Sequence, residues 1–277
     1  QAAISHQVKA LEERLGLPLF RRINRALLLT DAGQDLFPSL SESFDMIAAA
    51  ARRLKRHDRS GVLTLSTLDS IAASWLVPRI GKFRALHPDI DVRISTTDQV
   101  VDFVSGDFDM GLRYGVGPYP GLEKVLLMKE SLFPALSPSL LEKHGPLDNP
   151  ADLARFPLLH DDMRDDWAVW MQAAGVEGID VSRGPSFSHS NHVQQAAVAG
   201  EGVALGRSVL IADDLAAGLL IKPFNIDLKA HHVYYAVYPK TSATRPKIIA
   251  FRDWLIKEAH ETQERSQNIL ARSQSGQ

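Results

Sequence analysis

Among 277 residues there is no cysteine, which excludes disulfides, thiolate nucleophiles and every metal site that needs a cysteine ligand. A reducing bacterial cytoplasm fits that composition without following from it. No apolar run approaches the roughly 20 residues that a membrane-spanning helix needs, so no membrane partner is expected. The amino terminus shows no charged-then-apolar export pattern. An excess of one charge is lacking too: a net charge of −2 argues against a protein that coats nucleic acid along its length. The signatures G-x-S-x-G, S-x-x-K, H-E-x-x-H and the P-loop are all missing. Nucleophilic and phosphoryl-transfer chemistry therefore have no support, and an enzyme is not expected.

What is present is an ordinary globular balance, 45% apolar and 23% charged, over a length that allows two or three compact units. One stretch organises the rest. Over residues 1–33, Ile4, Val8, Leu11 and Leu15 recur at helical spacing, so they share one face of an α-helix. The other face offers Gln1, Ala2, Ser5, His6 and Lys9, short or polar groups that fit a groove. Gly16 and Pro18 stop the helix. Arg21, Arg22 and Arg25 then flank a Leu27-Leu28-Leu29 run that ends in Asp31-Ala32-Gly33. Residues 1–30 hold five Lys or Arg against Glu12 and Glu13, a net +3, which leaves −5 for the remainder. Positive charge gathered in one short segment is the footprint of local phosphate contact. A polar-faced helix followed by an Arg-flanked ribbon is what a winged helix-turn-helix reader of double-stranded DNA uses. Gln1, Ser5 and His6 are the candidate base-edge readers, and Ala2 is placed to touch a thymine methyl. Lys9, Arg21, Arg22 and Arg25 are the candidate phosphate contacts, which position rather than specify.

A second periodic segment follows, with Leu36, Leu40, Phe44, Ile47, Ala51 and Leu54 spaced by threes and fours. That alternation is the seam of a helix packed on another helix, and a dimer is expected through it. Pro38 is tolerable only near the first turn or at a bend. Asp58 to Gly61 breaks the pattern and marks a domain boundary.

From there strands and helices alternate. Strands are expected at 62–66, 90–95 and 108–113, with helices at 70–86 and 99–104, which implies a parallel sheet covered by helices. The extended segment 132–137 is a candidate crossing into a second α/β block, and 233–238 the return. An amphipathic helix over 247–259 closes the first block, and residues 265–277, polar and rich in Ser and Gln, read as a disordered tail.

The opening pattern Q-A-A-I-S-x-x-V-x-x-L-E-x-x-L-G-x-x-L-F-x-R, then L-T-x-A-G-x-x-L, resembles the LysR-type bacterial transcriptional regulators. The segment from L-T-L-S through W-L-V-P-R-I-G-K-F-R-A-L-H-P-D-I-D-V is similar to the start of their effector domain. D-F-D-M-G-L-R-Y-G and E-S-L-F-P-A-L-S-P look closest to the glycine-cleavage activator and β-lactamase regulator branch. The resemblance implies an α/β fold: a partial winged helix-turn-helix in residues 1–35 and a linker and dimerisation helix in 36–59. It further implies a two-lobed, periplasmic-binding-protein-like (type 2) effector domain in 60–264. Lobe I would hold about 62–136 and 235–264, and lobe II about 137–234. It also implies a cytoplasmic homodimer or homotetramer, with DNA and a small-molecule inducer as partners and RNA polymerase as a candidate one. Members of the family carry further helices ahead of this point, so the chain reads as truncated there. An incomplete core beneath Ile4, Val8 and Leu11, and weak specific DNA binding, are then expected.

Three polar corners after strands are candidates for the inducer cleft: 67–70, 96–98 and 188–191. Each is equally readable as a helix N-cap. The resemblance raises Ser70, Thr97, Ser188 and Ser190, and adds Asp102 and Tyr235. Asp69 and Asp98 at the same corners would repel a bare anion, so an inducer carrying an amine is expected. Gly200-x-Gly202 with Gly206 follows a helix and enters a strand, the reverse of a dinucleotide fingerprint, and no cofactor is expected. His189 and His192 alone make no metal signature. The rival reading is a two-lobed solute-binding protein without DNA function, which would need no Arg-flanked ribbon.

Overall fold

The computed structural model describes residues 2–23, 26–57, 61–99, 101, 103, 108–162 and 165–275. They fall into two compact units, one of residues 1–59 and one of residues 60–103 and 108–277.

In the first unit, helix α1 (Ala2–Leu15) ends at Gly16, whose φ of +71° closes the last turn at no steric cost. The Glu12 carboxylate accepts hydrogen bonds from the Leu19 and Phe20 amides at 2.7 and 3.1 Å. It thereby ties the helix to an antiparallel hairpin, β1 (Phe20–Ile23) and β2 (Ala26–Leu29). The Thr30 hydroxyl donates to the Pro18 carbonyl at 2.6 Å and accepts from the Gly33 amide at 3.1 Å, so Thr30 caps helix α2 (Asp31–His57). A Cβ on residue 33 would collide with the Leu19 carbonyl, which is why glycine stands there. The L-T-x-A-G pattern is thus one joint: a cap, a turn and a close backbone approach. Pro38 lies inside α2 rather than in its first turn, and its ring deprives the Gln34 carbonyl of an N–H partner. Phe37, Leu40, Phe44, Met46 and Ile47 are exposed along the same helix.

The second unit contains two mixed sheets. Strand β3 (Val62–Thr67) runs parallel to β4 (Asp91–Thr96) and β5 (Met110–Gly115). Antiparallel β11 (Val233–Pro239) and β6 (Leu122–Met128) complete the order β4-β3-β5-β11-β6. Helix α3 (Asp69–Ile71), a π-helical stretch over Ala72–Leu76 and α4 (Ile80–Leu86) follow β3. With the long α9 (Pro246–Ser275) they bury Trp75, Phe83, Phe251 and Trp254 against this sheet. The second sheet has the order β10-β7-β9-β8, from β7 (Ser131–Ala135), β8 (Leu158–Leu159), β9 (Val203–Arg207) and β10 (Leu228–Lys229). Around it lie α5 (Pro138–His144), a 3-10 turn at Pro150–Arg155, α6 (Asp165–Ala173), α7 (Ser190–Val198) and α8 (Ala212–Ala216). Its cores gather on Trp167 and Trp170 on one side and on Phe133, Val193 and Ala197 on the other.

Several expectations shift. The changeover between sheets falls at Lys129–Glu130 and at 230–232, so 131–135 belongs to the second sheet, paired with β9, and is not the crossing itself. The single helix expected over 70–86 is interrupted by the π-helical residues and a turn at 77–79. Of the helix expected over 99–104, residues 100, 102 and 104 lie outside the described residues, and residues 99, 101 and 103 are not helical. Residues 265–275 continue α9 rather than forming a disordered tail, because Gln, Leu, Ala and Arg are good helix formers and no glycine or proline intervenes. No helix of the described residues is long and apolar enough to cross a membrane.

Candidate functional site

A cleft of about 290 Å³ opens in the second unit. The β3–α3 corner supplies Leu68, Asp69, Ser70 and Ile71, and the turn after β4 supplies Asp98. Facing them are Asp161 and Asp162 after β8, Ser188, His189 and Ser190 at the start of α7, and Arg207 at the end of β9. Tyr114 and Tyr234, side by side on β5 and β11, form the floor with rings 4.7 Å apart.

The polar side chains at two corners are not consumed as helix caps. The N-cap of α3 is Leu68 and that of α7 is His189, and neither makes a side-chain capping bond. Ser190 and Asp69 turn elsewhere. Asn191 spans the cleft: its Nδ2 donates to Asp69 at 2.9 Å, and its Oδ1 accepts from the Ser70 hydroxyl at 3.3 Å. One turn on, the Ser74 hydroxyl donates to Gln194 Oε1 at 2.6 Å, and Gln194 Nε2 donates to Asp214 at 2.6 Å. Further along, Arg79 makes two 2.8 Å bonds to Asp213. Helices from both sheets are therefore stitched by polar contacts beside the cleft.

Arg207 anchors the site. It is 6% exposed and donates to Glu130 at 3.1 Å, to Tyr114 Oη at 3.1 Å, to Ser190 Oγ at 3.3 Å and to Asp166 at 3.3 Å. Asp161 stands 3.6 Å away and accepts from the Ser190 hydroxyl at 2.6 Å. Burial drives the Glu130 carboxyl above the usual carboxylate range, although Arg207 and the hydroxyls of Tyr114 and Tyr234 pull against it. Burial alone would lower the Arg207 pKa, but Glu130, Tyr114 and Asp161 raise it on balance, so the guanidinium stays charged. Burial first, then Glu130, pushes both tyrosine hydroxyls upward, and they remain donors. Among the described residues Asp69, Asp98, Asp161 and Asp162 line the cleft together with Arg207, whose guanidinium is paired with Glu130. The lining is acidic.

Of the residues singled out in the sequence, Asp69, Ser70, Asp98, Ser188 and Ser190 meet at this cleft. Thr97 does not line it; its hydroxyl accepts from the Gln99 amide at 3.2 Å in a local turn. Asp102 lies outside the described residues. Tyr235 is on the wrong side of its strand. Side chains alternate along β11, so Tyr234 faces the cleft while Tyr235 meets Tyr119, with the Lys124 ammonium 4.7 Å over its ring. Arg207, Tyr114, Tyr234, Asp161 and Asp162 were not singled out for the cleft, and Asn191 only as the end of the 188–191 corner. Among the described residues no cluster of His, Cys, Asp or Glu is arranged to hold a metal ion.

In the first unit Ser5, His6, Lys9 and Arg21 are exposed. Gln1 and Arg25 lie outside the described residues, as do the side chains of Ala2 and Arg22. Ile4 and Leu11 on the other side of α1 are exposed as well.

Residues 1–34 match the family model for bacterial regulatory helix-turn-helix proteins of the lysR family, and residues 56–260 match the LysR substrate binding domain. The chain is 44% identical to the glycine cleavage system transcriptional activator of Escherichia coli K12 over 265 residues, covering 96% of this chain and 87% of that protein. It is 36% identical over 260 residues to the HTH-type transcriptional activator AmpR of Pseudomonas aeruginosa, covering 94% of this chain and 86% of that one. The solved effector domain of the Pseudomonas aeruginosa AmpR superposes with a TM-score of 0.62 at 31% identity, over 74% of this chain and 98% of that domain.

Proposed function

Because this chain belongs to the LysR family of bacterial transcriptional regulators, we propose how its own residues divide the work of regulation. The face of α1 bearing Ser5, His6 and Lys9 reads the DNA groove, with Gln1 and Ala2 at its start, while Arg21, Arg22 and Arg25 of the hairpin hold phosphates. The exposed stripe Phe37, Leu40, Phe44 and Ile47 on α2 pairs two chains, with a tetramer as a further assembly. RNA polymerase is a candidate partner at the promoter, and the cytoplasm is the compartment in which all of these meet.

The cleft is the inducer site, and its lining selects a ligand that carries an amine. The observation behind this reading is the acidic lining by Asp69, Asp98 and Asp162, beside a guanidinium, Arg207, that is itself paired with buried Glu130. The amino-terminal end of α7 contributes partial positive charge at Ser188–Ser190, which favours an anionic group a few ångströms away. A zwitterion, such as an amino acid, a peptide or an amino sugar acid, satisfies both ends. A simple dicarboxylate satisfies only one and meets repulsion at the other. Ligand held there would draw on the Asn191 and Gln194 stitches and so bias the relation of the two sheets' helices.

Titration calorimetry of the chain with amino-group ligands and with simple dicarboxylates tests the cleft. Amines are expected to bind more tightly; tighter binding of succinate or malonate would sink the reading.

A further inference from the structure

Ser70, Ser74 and Arg79 follow β3, yet each bonds a side chain on the helices of the second sheet. Their partners are Asn191 and Gln194 of α7 and Asp213 of α8. Nine residues separate Ser70 from Arg79. At 3.6 residues per turn, that spacing puts two side chains about 180° apart, on opposite faces of an unbroken α-helix. The π-helical stretch Ala72–Leu76 removes the conflict. The Val77 amide donates to the Ala72 carbonyl, five residues back, at 2.9 Å, so one extra residue is taken up in that turn. Discounting it leaves eight, and the two side chains come within about 80° of each other. The turn at 77–79 then ends the stretch with Arg79 on the side of α8. π-turns are rare and gather at functional positions.

The contact placed in this way is the strongest of the three. Buried Arg79 meets Asp213 through two 2.8 Å bonds, the bidentate geometry that a planar guanidinium favours. The first sheet's own helix α9 braces the arginine from behind. Arg79 donates to the Trp75 carbonyl at 3.0 Å, and the Trp75 indole donates to Thr262 of α9 at 2.9 Å. Glu258 of α9 lies 4.0 Å from Arg79 and is held by Lys82 at 2.8 Å. Arg265, further along α9, stands 3.5 Å from Asp213. Neither Arg79 nor Asp213 lines the cleft, whereas Ser70 and Asp69, at the other end of the same row, do. The chain passes between the sheets at 129–130 and at 230–232. Side-chain contacts across the gap therefore set how closely the sheets approach.

We propose that the π-turn aims Arg79 at Asp213 as the outer bolt of a latch between the two sheets, with Ser74–Gln194 and Ser70–Asn191 as its inner bolts. The latch sets what fraction of the chain stands closed independently of any ligand. Loosening the outer bolt lowers the apparent affinity of the cleft in proportion to the closed fraction lost, although no lining residue has changed. The device does not depend on which ligand the cleft takes.

The chain has no cysteine, so Leu86→Cys on α4 and Val169→Cys on α6, both at exposed positions, take one nitroxide label on each side of the gap. The full chain carrying both labels is mixed with an excess of unlabelled chain, and the distance within one chain is read by double electron–electron resonance. The parent is expected to give one narrow distance. Asp213→Asn should add a longer one, raising the ratio of open to closed about tenfold, the scale of a lost hydrogen bond between charged groups. Asp213→Glu should restore most of the closed population. Removal of exposed Ala73 returns the π-turn to α-helical register and swings Arg79 away by about 100°. It should produce the same longer distance, and Asp213→Asn added to it should change nothing further. If Asp213→Asn lowers the melting temperature but leaves the distance as it was, the ion pair is structural and the latch is overturned. If the chain without Ala73 still responds to Asp213→Asn, the π-turn does not aim the arginine. Should that chain fail to fold, the two Asp213 variants decide the latch alone.

Discussion

Glu130 and Arg207 form an ion pair with both side chains withdrawn from water, 0% and 6% exposed. Such a pair contributes little net stability, yet removing one partner strands a buried charge. Arg207→Met is therefore expected to destabilise the second unit by about 3–5 kcal/mol, and Arg207→Met with Glu130→Gln to recover a large part of that. Urea unfolding of the three proteins checks both statements. The raised pKa of Glu130 sets a pH dependence as well. Its folded-state value lies above the unfolded one of about 4.3, so the folded state holds the proton more tightly. The contribution is fully present below that unfolded value and is lost as pH rises through the folded one. Glu130→Gln lacks this loss. Its stability relative to the parent should improve from pH 4 to pH 7, as read from urea midpoints across that range.

At the scale of elements, α2 carries large apolar side chains with nothing of its own unit to cover them: Phe44 is 66% and Ile47 63% exposed. Phe44→Glu is expected to convert a dimer to monomer in sedimentation while leaving the unfolding of the second unit unchanged. The helical period of this seam was readable because one face is apolar and the other charged. In β11 the same reasoning failed. Val233-Tyr-Tyr-Ala-Val-Tyr238 is apolar on both faces, so alternation sets no parity, and a register shift falls between Tyr234 and Tyr235 where the strand pairs with β6. Parity decides which tyrosine reaches the cleft. Arg207 escaped for another reason: Glu130 is 77 residues away and Tyr114 is 93, and no local spacing links them. The polar corners at Asp69–Ser70 and Ser188–Ser190 were legible because each sits at the start of a helix. Asn191 closes the second of these corners, but nothing local shows that its side chain reaches across to α3.

At the scale of the whole molecule, the net charge is +3 over residues 1–30 and −5 over the remainder, and aspartates line the cleft of the second unit. DNA affinity should therefore depend steeply on salt. If Lys9, Arg21, Arg22 and Arg25 each neutralise a phosphate, the slope of log K against log salt is about −4 for one subunit and about −7 for two. Gel shifts at several potassium chloride concentrations measure it, and a slope near zero would falsify the assignment of these residues. Neutralising Arg21 should lower the slope by about one per subunit and weaken all sequences alike.

Strand β11 sits between β5 and β6 although it comes more than a hundred residues after either of their first contacts in the chain, while residues 131–229 form the second sheet without interruption. A ribosome delivers these parts in a fixed order. The second sheet has all its strands once Lys229 has emerged, but β5 and β6 wait with open edges until 233–239 follows. Until that strand arrives, Tyr114 has no Tyr234 beside it and the floor of the cleft does not exist. The nascent protein thus acquires the capacity to sense its ligand only once β11 has emerged, well after the segment meant for DNA has left the ribosome.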